Sequence, residues 1–383
     1  MKIVFVSNYY NHHQAELCEA LSQLTEKFYF ISTGQMRQER RELGYGTDPE
    51  PGYVLRAYES AEQWELAEKY IEEADAVIAG SAPEAMLQKR IRMGKLLLRY
   101  SERPLKHGFS VIKYLPRLVL WHCRTPFWKP VYMLCASAYT ASDYRLFGMY
   151  HRRCYQWGYF PKTRIYDCAD ELLGAKEPGS ILWAGRLIDW KHPEYAVLTA
   201  KKLKEEGYSF CLRIIGTGAM GSRLREMIAD LKLENCVQLL GPMKPEQVRE
   251  YMEKSEIFLF TSDKQEGWGA VLNEAMNSGC AVVASHAIGS VPFLIKNQET
   301  GLVYRSGDTD MLREKVRYLL EHPREREAMG KQAYETVAEE WNARTAAERL
   351  CELVSHLLAG KKHPELYDSG PISRAQIITD DWM

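Results

Sequence analysis

Phe258-Leu-Phe-Thr-Ser-Asp-Lys-Gln-Glu266-Gly-Trp-Gly-Ala-Val-Leu-Asn-Glu274-Ala-Met-Asn-Ser-Gly279-Cys-Ala-Val-Val-Ala is the stretch that decides how this chain is read. Its pattern predicts a short buried strand, a polar loop, a helix of about two to three turns and a second buried strand. Gly267 and Gly269 stand where the strand's end turns into the helix. Gly279 stands where a helix C-terminus calls for a left-handed residue. Two carboxylates bracket the turn: Glu266 in the loop and Glu274 roughly one turn inside the helix.

Such a pair suits the gripping of hydroxyls. An ionised carboxylate is an acceptor with two oxygens and takes both O–H groups of a vicinal diol. Each charge-assisted bond of this kind is worth roughly 1.5–3 kcal/mol. A helix N-terminus beside them offers N–H groups and a positive dipole end to a phosphate. A sugar, a diphosphate and a ribose together make a nucleotide sugar.

Glu266, seven intervening residues and Glu274, followed by Ala-Met-x-x-Gly-x-Ala-Val-Val-Ala, resemble the signature of retaining glycosyltransferase family 4. The resemblance implies the GT-B fold, in which two Rossmann-like α/β halves face each other across a cleft and a C-terminal helix crosses back to the first half. It implies that Glu266 contacts donor-sugar hydroxyls and Glu274 the nucleotide ribose. Ser180-Ile-Leu-Trp-Ala-Gly185-Arg186-Leu-Ile-Asp-Trp-Lys191 resembles the family's Gly-Arg-Leu…Lys segment, whose Arg and Lys bind the donor diphosphate. Fixed cations are needed there because a departing diphosphate gathers negative charge. Arg brings a bidentate fork and Lys a point charge. The catalytic set implied is Arg186, Lys191 and Glu266. The donor-binding set is Gly185, Gly216, Gly218, Gly241, Met243, Gly267, Trp268, Gly269, Ala270 and Glu274. Trp268 replaces the family's usual Phe, and Asn273 and Asn277 replace residues usually apolar or small.

The chain has 383 residues, enough for two domains of ordinary size. With 46% hydrophobic and 26% charged residues it is globular in composition, and a net charge of −1 gives no nucleic-acid field. Nine scattered cysteines, an odd number with no C-x-x-C pair, suit reduced thiols rather than disulfides or zinc. Lys2-Ile-Val-Phe-Val-Ser reads as a first strand, too short for a signal-peptide core. No apolar run is long enough to span a bilayer. These features predict a soluble cytoplasmic protein, at most peripheral on a membrane's inner face.

The first half opens strand–loop–helix–strand, which favours a parallel sheet. Ligands of such sheets sit beyond the carboxyl ends of the strands, which places the loop Asn8–Gln14 over the site. Asn11, His12 and His13 are the candidate acceptor-side residues there, with Glu102 after a later strand. The family's Gly-Gly pair is missing from this loop. Between residues 89 and 129 the basic residues, among them Arg90, Arg99 and Arg103, are opposed only by Glu102, and Phe109, Val111, Ile112, Trp121, Phe127 and Trp128 are interleaved. That composition suits either an anionic membrane face or a solvated helix with a buried side.

In the second half Gly216-Thr-Gly218-Ala-Met-Gly221 matches G-x-G-x-x-G in form. The dinucleotide fingerprint also needs an acidic residue after the next strand, and that strand ends in Gly241-Pro. Asp308-Thr-Asp310 precedes a helical pattern and reads as an N-cap rather than a metal site.

The organisation expected is an acceptor-side domain over 1–165, a donor-binding domain over 179–340, a returning helix over 341–360 and a loosely held tail over 361–383. The function expected is metal-independent transfer of a sugar, without a cofactor, from a nucleotide-diphosphate donor, UDP-linked on family frequency. The acceptor expected is a sugar or lipid-linked glycan, as in polysaccharide or glycolipid assembly. A sugar-nucleotide epimerase, a catalytically silent nucleotide-sugar-binding or scaffold subunit, and an NAD-dependent oxidoreductase are the rival readings.

Overall fold

Ile3, Val4, Phe5 and Val6 are all fully buried, as are Ala281 to Ala284. Runs apolar on both faces are what a parallel sheet covered by helices on each side requires. In the computed structural model, which describes residues 1–36, 38, 46, 50–108 and 111–383, two such sheets form. Each belongs to its own α/β unit: residues Met1–Lys162 with Asn342–Asp380, and residues Thr163–Trp341 with Asp381–Met383.

The first unit holds β1 (Lys2–Ser7), β2 (Lys27–Ser32), β3 (Val54–Arg56), β4 (Ala76–Ala79), β5 (Leu97–Ser101), β6 (Val131–Cys135) and β7 (Cys154–Gln156). They run parallel in the order β3-β2-β1-β4-β5-β6-β7. The second unit holds β8 (Glu177–Ala184), β9 (Cys211–Ile215), β10 (Val237–Gly241), β11 (Ser255–Phe260), β12 (Ala281–Ser285) and β13 (Leu302–Tyr304). Its parallel order is β10-β9-β8-β11-β12-β13. Both are doubly wound, the Rossmann-like class expected. The winding reverses between β1 and β4 in the first sheet and between β8 and β11 in the second. At such a reversal neighbouring loops diverge and leave a crevice at the strands' carboxyl ends.

One buried and one half-buried cation close the ends of helices. Arg90 has no exposed surface, and its guanidinium donates to the carbonyls of Ile71, Ala74, Asp75 and Leu96 at 2.6–2.9 Å. These include the last carbonyls of the helix Ala61–Glu73, which have no partner within the helix. Burial lowers its pKa to about 10. Lys176 does the same in the second unit, donating to Ser255 O and Ser278 O at 2.8 Å beyond the ends of two helices.

The basic stretch is therefore not a uniform face. Besides Arg90, Arg99 is paired with Glu84 at 2.6 Å, and Arg103 is 5% exposed against Asp143. Burying an unpaired guanidinium is costly, so these three were placed inside with carbonyls or carboxylates and are lost to any outer surface. Phe109 lies outside the described residues, as do the side chains of Val111 and Ile112.

The end of the chain departs from the loose tail expected. Residues 372–375 run antiparallel along the edge strand β7: Ile372 N donates to Gln156 O, Gln156 N to Ser373 O, and Ala375 N to Cys154 O. Ile372 and Ser373 are each 1% exposed. An edge strand presents unpaired backbone groups, and this segment supplies their partners. The helix Ala343–Leu358, capped by Asn342 whose side chain accepts from Thr345 N, lies against the helix His12–Leu24 of the same unit.

Candidate active site

At the β8/β11 reversal the two chain segments singled out in the sequence meet. Lys191 follows β8 and Glu266 follows β11, and the Lys191 ammonium donates to Glu266 Oε2. Their side chains are only 11% and 12% exposed. Ser262 Oγ donates to the same carboxylate oxygen at 2.9 Å. Thr261 Oγ1 donates to Lys191 O at 2.6 Å and accepts from Trp183 Nε1 at 2.8 Å, fixing the lysine backbone to the core.

Arg186 is exposed, its guanidinium 5.6 Å from the Trp190 ring. Lys191 Nζ is 4.9 Å from the same ring, so one indole carries both expected phosphate-binding cations. His192 is held left-handed at φ 47° between Glu194 at 2.9 Å and Asp263 at 3.8 Å. The Glu194 hydrogen bond raises its pKa. A non-glycine residue in that conformation is strained, and here it turns the chain straight after Lys191.

The glycines have a packing reason. A Cβ on Gly216, whose φ is 147°, would lie 1.8 Å from Gly185 O; one on Gly218, at 156°, would lie 2.3 Å from Leu187 O. The loop after β9 thus crosses directly on the Gly185–Leu187 backbone, with Leu187 N donating to Thr217 O and Met220 N to Leu187 O. Gly241 O accepts from Gly216 N at 2.9 Å, which brings the β10 end and the half-buried Met243 into the same rim. Gly269, at φ 84°, leaves no room for a Cβ against the Phe260 ring, 2.3 Å away. Gly279 is left-handed at φ 67° past the helix Val271–Asn277, as the sequence pattern predicts.

One expected contact is corrected. The Trp268 side chain is fully buried with Phe293 and Trp341, and its Nε1 donates to Asn273 Oδ1 at 2.9 Å. The indole faces the core because a large apolar ring gains more from burial there than at a wet rim. It does not line the loop bearing Gly267 and Ala270. The unusual Asn273 is its hydrogen-bond partner. Asn277 has a different use: its Oδ1 accepts from Arg164 N and Arg249, both at 2.7 Å, while its Nδ2 donates to Arg164 O.

Glu274 lies in the first turn of its helix, half-buried. Burial raises its pKa to about 7, against the lowering influence of Arg249 and Arg164. Asp308 caps the helix Thr309–Glu321 through Met311 N at 2.8 Å, and Asp310 pairs with Lys202, so neither stands over a strand end.

At the β1/β4 reversal of the first unit the chemistry differs. Asn11 caps the helix His12–Leu24, its side chain accepting from His13 N at 3.0 Å. The His12 and His13 rings lie 3.8 Å apart. His13 stacks on Tyr159, interplanar angle 12°, and Tyr159 OH donates to Glu102 Oε1 at 2.7 Å. Lys106 donates to the other Glu102 oxygen. Three of the four acceptor-side candidates thus join in one cluster through Tyr159, which the sequence reading missed. Nothing in its local sequence marks Tyr159, since the partners lie far apart along the chain.

With this geometry in hand, residues 170–336 match the family described as Glycosyl transferases group 1. That match covers most of the second unit. The amylovoran biosynthesis glycosyltransferase AmsK of Erwinia amylovora is 35% identical over 141 residues, 36% of this chain and 34% of AmsK. The putative colanic acid biosynthesis glycosyltransferase WcaL of Escherichia coli K12 is 27% identical over 186 residues, 47% of this chain and 46% of WcaL. The chain thus spans between a third and a half of the length of these relatives. Among solved structures, Anabaena Alr3699/HepE in complex with UDP shares the fold with a TM-score of 0.67 at 16% identity, covering 93% of this chain and 100% of that one. The pneumococcal O-GlcNAc transferase GtfA, in complex with UDP and GlcNAc, gives 0.69 at 13% identity, covering 93% and 99%.

Proposed function

We propose that this chain is a retaining glycosyltransferase of family 4 type. It moves a sugar from a nucleoside-diphosphate donor, UDP-linked, to a hydroxyl of a sugar or lipid-linked glycan during polysaccharide assembly. The observation that carries this is the Lys191–Glu266 pair at the β8/β11 reversal, with Arg186 sharing the Trp190 ring with Lys191. In the reaction the bond between the anomeric carbon and the β-phosphate oxygen breaks, and its electrons stay with the diphosphate. Arg186 and Lys191 neutralise that charge, which leaves no step in need of a metal. The acceptor oxygen bonds to the anomeric carbon on the same face and passes its proton to the departing phosphate oxygen. Glu266 holds donor-sugar hydroxyls, and Glu274 the ribose diol. The rims formed by Gly185, Gly216, Gly218, Gly241 and Met243 take the nucleotide. The names of AmsK and WcaL, and the UDP in similarly folded structures, favour this choice of pathway and donor.

A membrane-linked acceptor suits the surface of the first unit. Val119, Leu120, Phe127 and Trp128 are 42–78% exposed, beside the exposed Arg92 and Arg124. Apolar side chains with basic neighbours are suited to anionic headgroups. Among the described residues, no helix is long and apolar enough to cross a membrane.

A panel of nucleotide sugars tested for donor hydrolysis and transfer decides the central reading. Release of UDP from one sugar donor is expected, with product NMR showing the donor's anomeric configuration. UDP binding without turnover of any donor would leave a silent binding subunit instead. Sedimentation with phosphatidylglycerol vesicles is expected to fall with rising salt and with Trp128→Ser. Equal binding to neutral vesicles would remove the membrane assignment.

A further inference from the structure

Arg249 is a buried cation whose side-chain hydrogen bonds go to an amide and to the Tyr166 hydroxyl rather than to a carboxylate. It is 6% exposed, one amino group donates to Asn277 Oδ1 at 2.7 Å, and its Nε is buried without a hydrogen-bond partner. A guanidinium removed from water in this way needs a compensating anion. Glu253, one turn along the same helix Pro245–Lys254, is already bonded to Arg164 at 2.5 Å and to Tyr166 OH. A further carboxyl bearing on Arg249 is Glu274. It lies three residues before Asn277, so the two share one face of the helix Val271–Asn277, and Arg249 grips that face.

We propose that Arg249 is a positioning residue for Glu274: anchored by Asn277, its guanidinium supplies the fixed counter-charge that aims this carboxylate at a ribose diol. The proposal rests on the ribose reading of Glu274. The anchor is itself pinned, because Asn277 also holds the backbone of Arg164 on both its N–H and its carbonyl. Three charged groups bear on Glu274: Arg249 and Arg164 favour its ionised form, and Glu246, on the same helix as Arg249, opposes it. Arg164 is committed to Glu253, which leaves Arg249 as the cation available to face the carboxylate. A carboxyl accepts diol hydroxyls best once ionised, so nucleotide affinity should grow as pH climbs through about 7. Removing a neighbouring cation pushes that ionisation to higher pH.

The test is UDP binding by calorimetry between about pH 5.5 and about pH 9 in the wild type, Arg249→Gln, Arg249→Lys and Glu274→Gln, each affinity change read as a ratio of Kd values. Arg249→Gln should bind UDP about tenfold more weakly at pH 7, with its midpoint moved to higher pH and part of the loss recovered at the alkaline end. Arg249→Lys should keep the wild-type midpoint. A loss of equal size at every pH, or no loss, overturns the proposal. Glu274→Gln should bind weakly with a flat pH profile. If it binds UDP like the wild type, the ribose reading falls and this proposal with it. If it is weak and flat while Arg249→Gln follows the wild-type curve, the Arg249 role alone falls. Should Arg249→Gln not fold, Asn277→Ala releases the same guanidinium and should shift the midpoint the same way by less; an unchanged midpoint there is equally fatal.

Discussion

The two sheets reverse their winding in the same way, yet the side chains gathered near the two reversals differ in how much fixed charge they bury and how many rings they bring. At β8/β11 a lysine and a glutamate pair under partial burial, with an arginine beside one shared indole. In the first unit two imidazoles, a tyrosine ring and one carboxylate meet through stacking and a hydroxyl bond, and the lysine on that carboxylate, Lys106, is more exposed than Lys191. Fixed charge answers a ligand that carries charge, and a diphosphate is such a ligand. Rings with hydroxyl-seeking groups suit the neutral, polyhydroxylated acceptor proposed above. The same topology is thus specialised by a handful of loop residues, and fold alone says little about chemistry.

The contrast can be broken by exchanging where damage is done. Arg186→Ala should cut turnover by about 10²-fold or more, as losses of charge stabilisation do, with the fold intact by circular dichroism. An unchanged kcat would remove the leaving-group role proposed for the second unit. Glu266→Gln should cost roughly 10–100-fold in kcat/KM for the donor, the value of one or two charge-assisted bonds. A loss in acceptor KM alone would assign that carboxylate to the other substrate. Smallest is Tyr159→Phe, which removes one neutral-to-charged hydrogen bond and should raise acceptor KM about two- to tenfold at constant donor KM. An effect confined to the donor would erase the distinction between the two reversals.

The second unit was legible because its signals are local and repeated. Glu266 to Glu274 lies within one strand–loop–helix passage, and Gly279 marks its end with the φ of 67° observed. The joining of Lys191 to Glu266 was not visible as a contact, but parallel winding brings both to one end of neighbouring strands. The cluster at Glu102 was only half legible, since Tyr159 reaches it from beyond β7. The basic stretch misled for a physical reason. Composition counts cations without saying which donate inward, and Arg90 spends its guanidinium on four carbonyls. Residues 361–383 looked loose because their polar composition hides Ile372 and Ala375, which cover an open strand edge.

The crossing of the Gly216–Gly218 loop on the Gly185–Leu187 backbone limits which side chains this rim can carry. Libraries randomised at positions 216 and 218 should yield mainly misfolded clones, since no side chain has space there. Under the nucleotide-rim proposal, changes in donor preference would have to arise at neighbouring non-glycine positions such as Thr217 or Met243.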